Sequence, residues 1–130
     1  MDSKTDNDRN KKIIIDLDNT ITFDDDNVDY YNKKPNLEVI EKCKIYREKG
    51  FQIVIFTSRN MRTYSGNISK IKSETLPVII DWLEKYDFPY DEIILGKPWC
   101  GKNGFYVDDK AIRPNEFVKN TYEEILKLIT

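Results

Sequence analysis

Four apolar segments of this sequence run directly into reactive polar side chains. KIII leads to Asp16-Leu17-Asp18-Asn19-Thr20, FQIVIF to Thr57-Ser58-Arg59, EIIL to Gly96-Lys97-Pro98, and FYV to Asp108-Asp109. Taken singly, an Asp, Thr or Lys in such a place is a turn or capping residue. Taken together, their chemistry is coherent. Residues i and i+2 of an extended segment point the same way, so Asp16 and Asp18 can face one site. Neighbouring strands lie ~4.8 Å apart, so Asp108 on a strand beside the first would bring another carboxylate close to Asp16. Mg²⁺ can bridge such groups, with oxygen ligands at ~2.1 Å and several retained waters. Without a cation the cluster is costly: like charges about 4 Å apart repel by about 4 kcal/mol at an effective dielectric of about 20. A metal ion and a lysine are therefore expected beside the carboxylates.

The rest of the composition narrows the chemistry further. The chain contains no histidine, which removes Ser-His-Asp and Cys-His triads, His-ligated zinc and His general bases together. Two cysteines, Cys43 and Cys100, cannot make a four-thiolate zinc site or a disulfide framework. Cys43 lies in a helical pattern and reads as a small buried apolar residue. Hydrolytic chemistry here must come from carboxylates, lysine, hydroxyls and a hard metal.

The elements that must position these groups follow from periodicity. Lys12–Asp16, Phe51–Thr57, Glu92–Leu95 and Phe105–Val107 read as buried strands of a parallel sheet. Asn36 can cap a helix carrying Leu37 and Ile40, with Gly50 suited to its C-terminal turn. Residues 58–74 read as a polar loop. Thr75 can cap the next helix, with Pro77 in its first turn and Leu76, Ile79, Ile80 and Leu83 along one face. A last amphipathic helix is expected over Thr121–Leu128. The order β-α-β-α-β-β-α predicts an α/β fold: a single Rossmann-like three-layer domain with a mostly parallel sheet and no cap domain. In such sheets ligands bind beyond the carboxyl ends of the strands, where all four polar clusters fall.

At 130 residues, 39% hydrophobic and 34% charged, with a net charge of −2, the chain fits one globular domain. Residues 1–11 are polar and expected to be disordered, leaving 12–130 as the domain. The charge balance argues against a mainly electrostatic nucleic-acid partner. No apolar run approaches the ~20 residues that span a bilayer, and MDSKTDNDRN has no apolar signal core. No membrane association and a cytoplasmic location are the default expectations.

The set DLDNT at Asp16–Thr20, Thr57, Lys97 and Asp108-Asp109 resembles, in order, the four motifs of the haloacid dehalogenase (HAD) superfamily. Over roughly residues 12–118, the stretches SRNMRTYSGN, TLPVIIDWL and PYDEIILGKPWCGKNGFYVDDKAIRPNEF resemble bacterial phosphatases of capsule or surface-polysaccharide biosynthesis. The resemblance implies that the first strand lies beside both the second and the fourth, with Asp16 next to Asp108. It implies a phosphatase in which Asp16 is nucleophile and Mg²⁺ ligand. Asp18 would ligate through its carbonyl and act as general acid and base through its carboxyl. Thr57 would bind phosphoryl oxygens and Lys97 neutralise charge, with Lys102 as its rival. Asp108 would bind metal, and Asp109 would bind it through water or orient Lys97.

HAD enzymes usually carry a cap after the first motif or between the second and third. Here Thr20–Pro35 has room only for a flap, and Thr57–Lys97 only for a loop, a helix and a strand. The site should be open, and capless relatives either take large substrates or complete the pocket by forming homo-oligomers. The loop Ser58, Arg59, Asn60, Arg62 and Tyr64 is a candidate substrate-binding segment, since arginines near a phosphate site can clamp anions. Trp99 and Arg113 are further candidates. Asp24 to Asp26 read as a solvated flap tip. The expected partner is a small-molecule phosphomonoester, a sugar phosphate or glycan precursor. A larger phosphorylated substrate (a nucleic-acid end or a protein) and a catalytically silent phosphate- or metal-binding module are the alternatives. A phosphoryl-accepting receiver module fits less well, because its acidic pair comes first in the chain and its phosphorylated aspartate later.

Overall fold

The computed structural model describes residues 11–130; the polar tail expected over residues 1–11 therefore lies, but for Lys11, outside the described residues. Three strands, β1 (Lys12–Ile15), β2 (Gln52–Thr57) and β3 (Glu92–Leu95), form one open sheet in that order, and both pairings are parallel. The α/β class and the parallel sheet agree with the sequence pattern. Register aligns Ile13 with Ile53, Ile15 with Ile55 and Ile93, and Thr57 with Leu95. Alternation then puts Ile13, Ile15, Ile53, Ile55, Ile93 and Leu95 on one face, and all of them join the main core cluster.

Helices supply the rest of that cluster. α1 (Leu37–Glu48) starts at Asn36, whose side chain accepts from the Val39 N–H at 3.4 Å. It contributes Val39, Ile40, Cys43 and Tyr46. Burial of Cys43 pushes its thiol pKa up to about 12, which makes it packing material and not a nucleophile. α3 (Leu76–Lys85) contributes Ile79, Trp82 and Leu83, α4 (Pro114–Lys119) Phe117, and α5 (Tyr122–Leu128) Ile125. Each such side chain stabilises the fold by about 1.5–3 kcal/mol through burial. On the other sheet face Val54 is buried, while Ile14 and Ile94 stay 56% and 39% exposed.

Three expectations need correction. Residues 58–74 are not all loop: Asn67 caps α2 (Ile68–Glu74) by accepting from the Lys70 N–H at 3.1 Å, and Ile71 is buried. Thr75 does not cap α3 with its side chain. It continues the helical backbone out of α2 and donates its hydroxyl to Asn60 Oδ1 at 2.7 Å. Finally, Phe105–Val107 is not a strand, so β1 has β2 as its one partner among the described residues. The run is short, follows a bend between Gly101 and Gly104, and is tied across that bend by the Tyr106 hydroxyl donating to the Pro98 carbonyl. Phe105 and Val107 are left 80% and 89% exposed.

Thr20–Pro35 is a flap, as its length requires. A bridge between Thr22 and Pro35 and a bond from Phe23 N–H to the Lys34 carbonyl close its base. Trp82 Nε1 donates to the Lys33 carbonyl at 2.8 Å and ties the flap to α3. No helix among the described residues is long and apolar enough to cross a membrane.

Candidate active site

Asp16 follows the last residue of β1, where the chain leaves the sheet in a tight turn. The Leu17 carbonyl accepts from the N–H groups of Thr20, Ile21 and Thr22, and Asn19 takes φ +58 within the turn. Asn tolerates this left-handed backbone better than most residues, and the turn sets Asp16 and Asp18 at the mouth of one cleft. That cleft, of about 530 Å³, is lined by Asp16, Asp18, Asp24, Ser58, Trp99 and Arg113 among others.

The Asp16 carboxylate accepts from the Leu17 N–H at 2.8 Å, and Lys97 Nζ lies 3.9 Å from its other oxygen. Burial raises the Asp16 pKa above the ordinary carboxylate value. Lys97 and the Leu17 N–H work against that rise, while Asp18 and Asp24 add to it. Lys97 is delivered by β3: its N–H donates to the Thr57 carbonyl at 3.1 Å, continuing the β2–β3 ladder. Gly96 takes φ +86 just before Lys97, a left-handed backbone that glycine adopts without strain. Lys102, the rival lysine, is exposed in the loop beyond.

Asp18 is held differently. Arg59 Nε donates to Oδ2 at 3.0 Å and Nη2 to Oδ1 at 2.8 Å, a bidentate fork from a side chain only 1% exposed. Lys33 of the flap adds a contact at 3.7 Å and reaches Asp24 at 3.3 Å. Tyr30, also on the flap, lies with its ring 4.1 Å from the Arg59 guanidinium carbon. The third guanidinium nitrogen of Arg59, Nη1, is buried without a partner. Asp24 is exposed, as expected of the flap, and it also lines the cleft. Lys33 and Tyr30 were not singled out from the sequence; the only signal was the flap's closure, which places Lys33 across from Asp24.

The remaining expected residues divide. Thr57 is buried, and its hydroxyl accepts from the Arg59 N–H at 3.1 Å, while Ser58 lines the cleft. Asn60, at φ +62, is engaged with Thr75 and Thr63 and braces its own loop. Arg62 is exposed, Tyr64 sits under Lys70, and neither lines the cleft. Trp99 and Arg113 do line it. Asp108 and Asp109 do not: Asp108 Oδ1 accepts from the Lys110 N–H at 2.9 Å in an Asx turn. The expected meeting of the Asp16 and Asp108 carboxylates is not seen, and among the described residues no cluster of three or more metal-ligating side chains occurs. Asp16 is a hard oxygen donor of the kind Mg²⁺ takes in sites of one or two carboxylates. A second concavity, about 690 Å³ and lined by Arg47, Asp87 and Tyr90, lies at the amino end of the sheet, away from Asp16.

No family model and no curated protein matches the chain. Among solved structures, one chain of a Pnkp1/Rnl/Hen1 complex is 19% identical with a TM-score of 0.50, covering 85% of this chain and 34% of that one. That likeness concerns the fold alone. A protein of Vibrio cholerae known from its crystal structure is 55% identical with a TM-score of 0.88, covering 92% of this chain and 96% of the other. With that identity over nearly its whole length, the chain belongs to the same family as the Vibrio cholerae protein.

Proposed function

We propose that the chain is a Mg²⁺-dependent phosphomonoester hydrolase of the HAD type, working through an aspartyl-phosphate on Asp16. The observation that supports this best is Asp16 at the cleft with Lys97 Nζ 3.9 Å away and Asp18 two residues on. A nucleophile, a charge-neutralising cation and an acid thus meet in one opening. In this reading an Asp16 oxygen attacks phosphorus as the bond to the leaving oxygen breaks, and Asp18 gives that oxygen a proton. Asp18 then takes a proton from water, whose oxygen attacks the phosphorus. Inorganic phosphate leaves and Asp16 is restored. Lys97 and the hydroxyls of Ser58 and Thr57 offset the charge on the phosphoryl oxygens, the main task in phosphoryl transfer.

Asp16 and the Asp18 carbonyl would hold Mg²⁺, which when bound supplies further neutralisation of the phosphoryl group. Asp108 and Asp109 join them if the 105–107 segment pairs with the free edge of β1. The exposed apolar side chains of Ile14, Phe105 and Val107 favour that pairing, since it would remove them from water. The substrate class we favour is a sugar phosphate or related glycan precursor, handled in the cytoplasm. The uncapped cleft also favours a second reading, in which the monoester belongs to a larger molecule such as a nucleic-acid end or a protein.

Phosphate release from a panel of sugar phosphates, small polyol phosphates, nucleotides and a phosphorylated oligonucleotide tests the proposal. Release by wild type concentrated in one class, and absent in Asp16→Asn, is the expected result. Equal release by Asp16→Asn would remove the aspartyl-phosphate mechanism.

A further inference from the structure

The residues that line the cleft are of two unlike kinds. Asp16, Asp18 and Asp24 make part of its lining acidic, and the cations beside them are committed: Lys97 to Asp16, Arg59 and Lys33 to Asp18. Trp99, Arg113 and Asn115 line the same cleft, and the phosphoryl chemistry does not use them. Trp99 is 49% exposed, an unusual position for a large aromatic side chain that is not packed in the core. Among the described residues no ion pair holds Arg113, although three cleft aspartates are near enough to line the same opening. Its backbone is fixed at the start of α4: the Arg113 N–H donates to Glu116 Oε1 at 2.9 Å, and Phe117 anchors the helix in the core.

We infer that Trp99, Arg113 and Asn115 form a leaving-group subsite for a phosphomonoester that carries a ring and a second acidic group. The indole presents a flat apolar face to the ring. The Arg113 guanidinium, a fork that matches carboxylate and phosphate alike, takes the second anion. Asn115 offers both a donor and an acceptor to ring hydroxyls. An uncharged leaving group would leave Arg113 unused, and a ringless one would leave Trp99 in water. The inference rests on the phosphatase reading for its kinetic arm, but ligand binding tests it separately.

The kinetic arm compares a hexose monophosphate with the matching uronic acid monophosphate and with a hexose bisphosphate. A nucleoside monophosphate serves as the ring without a second acid, and p-nitrophenyl phosphate as the general probe. We expect kcat/KM for both doubly acidic compounds to exceed that for the neutral hexose by about tenfold or more. The ratio should fall to near one in Arg113→Gln, chiefly through KM, and Arg113→Lys should recover part of it. Which doubly acidic compound leads tells whether the second anion is a carboxylate or a phosphate. The binding arm uses tryptophan emission. Trp82 is 1% exposed and Trp99 is open, so the uronic acid monophosphate should perturb emission in wild type and not in Trp99→Phe. Wild-type ratios near one, an unchanged ratio in Arg113→Gln, or equal turnover of the nucleoside monophosphate would each overturn the inference. If p-nitrophenyl phosphate and all others go unhydrolysed, the phosphatase reading fails. Arg113-dependent binding of the doubly acidic ligand would then still uphold the subsite, and its absence would remove it.

Discussion

Arg59 and Asp18 are joined by a two-bond fork, Nε to Oδ2 at 3.0 Å and Nη2 to Oδ1 at 2.8 Å. In this arrangement both Asp18 oxygens accept from one guanidinium, which fixes the direction in which the carboxyl faces. Arg59 is held in turn by the Tyr30 ring, so the flap and the loop after β2 together set the resting place of the proposed acid.

Arg59→Lys keeps the charge and removes the fork. With Asp18 less well placed, kcat is expected to fall by about tenfold to a hundredfold, with a smaller change in KM. Steady-state kinetics check this, and a wild-type kcat in Arg59→Lys would mean that the fork does not serve the reaction.

Asp18→Ala should cost stability as well as activity. It strands a guanidinium that is 1% exposed, and since Asp18 is itself partly open to solvent we expect about 1–3 kcal/mol. Urea denaturation reads the change. Asp18→Asn, which keeps an acceptor oxygen, should lose less stability while losing turnover.

Asp16 predicts the opposite sign. Its folded-state pKa is raised, so between the unfolded value of 3.8 and the higher folded value the native state binds more protons than the unfolded one. Its contribution to stability therefore declines as pH rises through that window and is unfavourable above it. In the metal-free protein at neutral pH, Asp16→Asn should melt at the same temperature as wild type or higher. A clearly lower melting temperature would show that Lys97 outweighs the burial.

Much of this was legible in the sequence, for identifiable reasons. Isoleucine-rich runs bounded by polar residues define β1, β2 and β3, and Asn36 and Gly50 bracket α1 by local chemistry alone. Asp16, Asp18 and Lys97 converge because strand ends in a parallel sheet share an edge. The Arg59–Asp18 fork and the flap's Lys33 were not legible, because such contacts join residues far apart in the chain. Arg59 read as a clamp for substrate anions, and only the fold shows it turned onto Asp18. Helix α4 was missed although Pro114 at its start is a common helix opening. The FYV run has strand composition, but in this structure its turn binds it more closely than the β1 edge does.

Metal dependence separates the cleft as it stands from one completed by the 105–109 segment. EDTA should stop turnover and Mg²⁺ restore it. Asp108→Asn should raise the Mg²⁺ concentration needed for half-maximal rate on the order of tenfold. An unchanged requirement in Asp108→Asn would leave that segment outside the site, and full turnover in EDTA would remove the metal.

The central claim is a covalent phosphoryl group on Asp16, and borohydride trapping reads it directly. Acyl phosphates are reduced to alcohols, so wild type quenched with borohydride during turnover should yield homoserine at position 16 in the peptide map. Asp16→Asn should yield none. Sustained phosphate release with unmodified Asp16, or homoserine at another aspartate, would contradict the account.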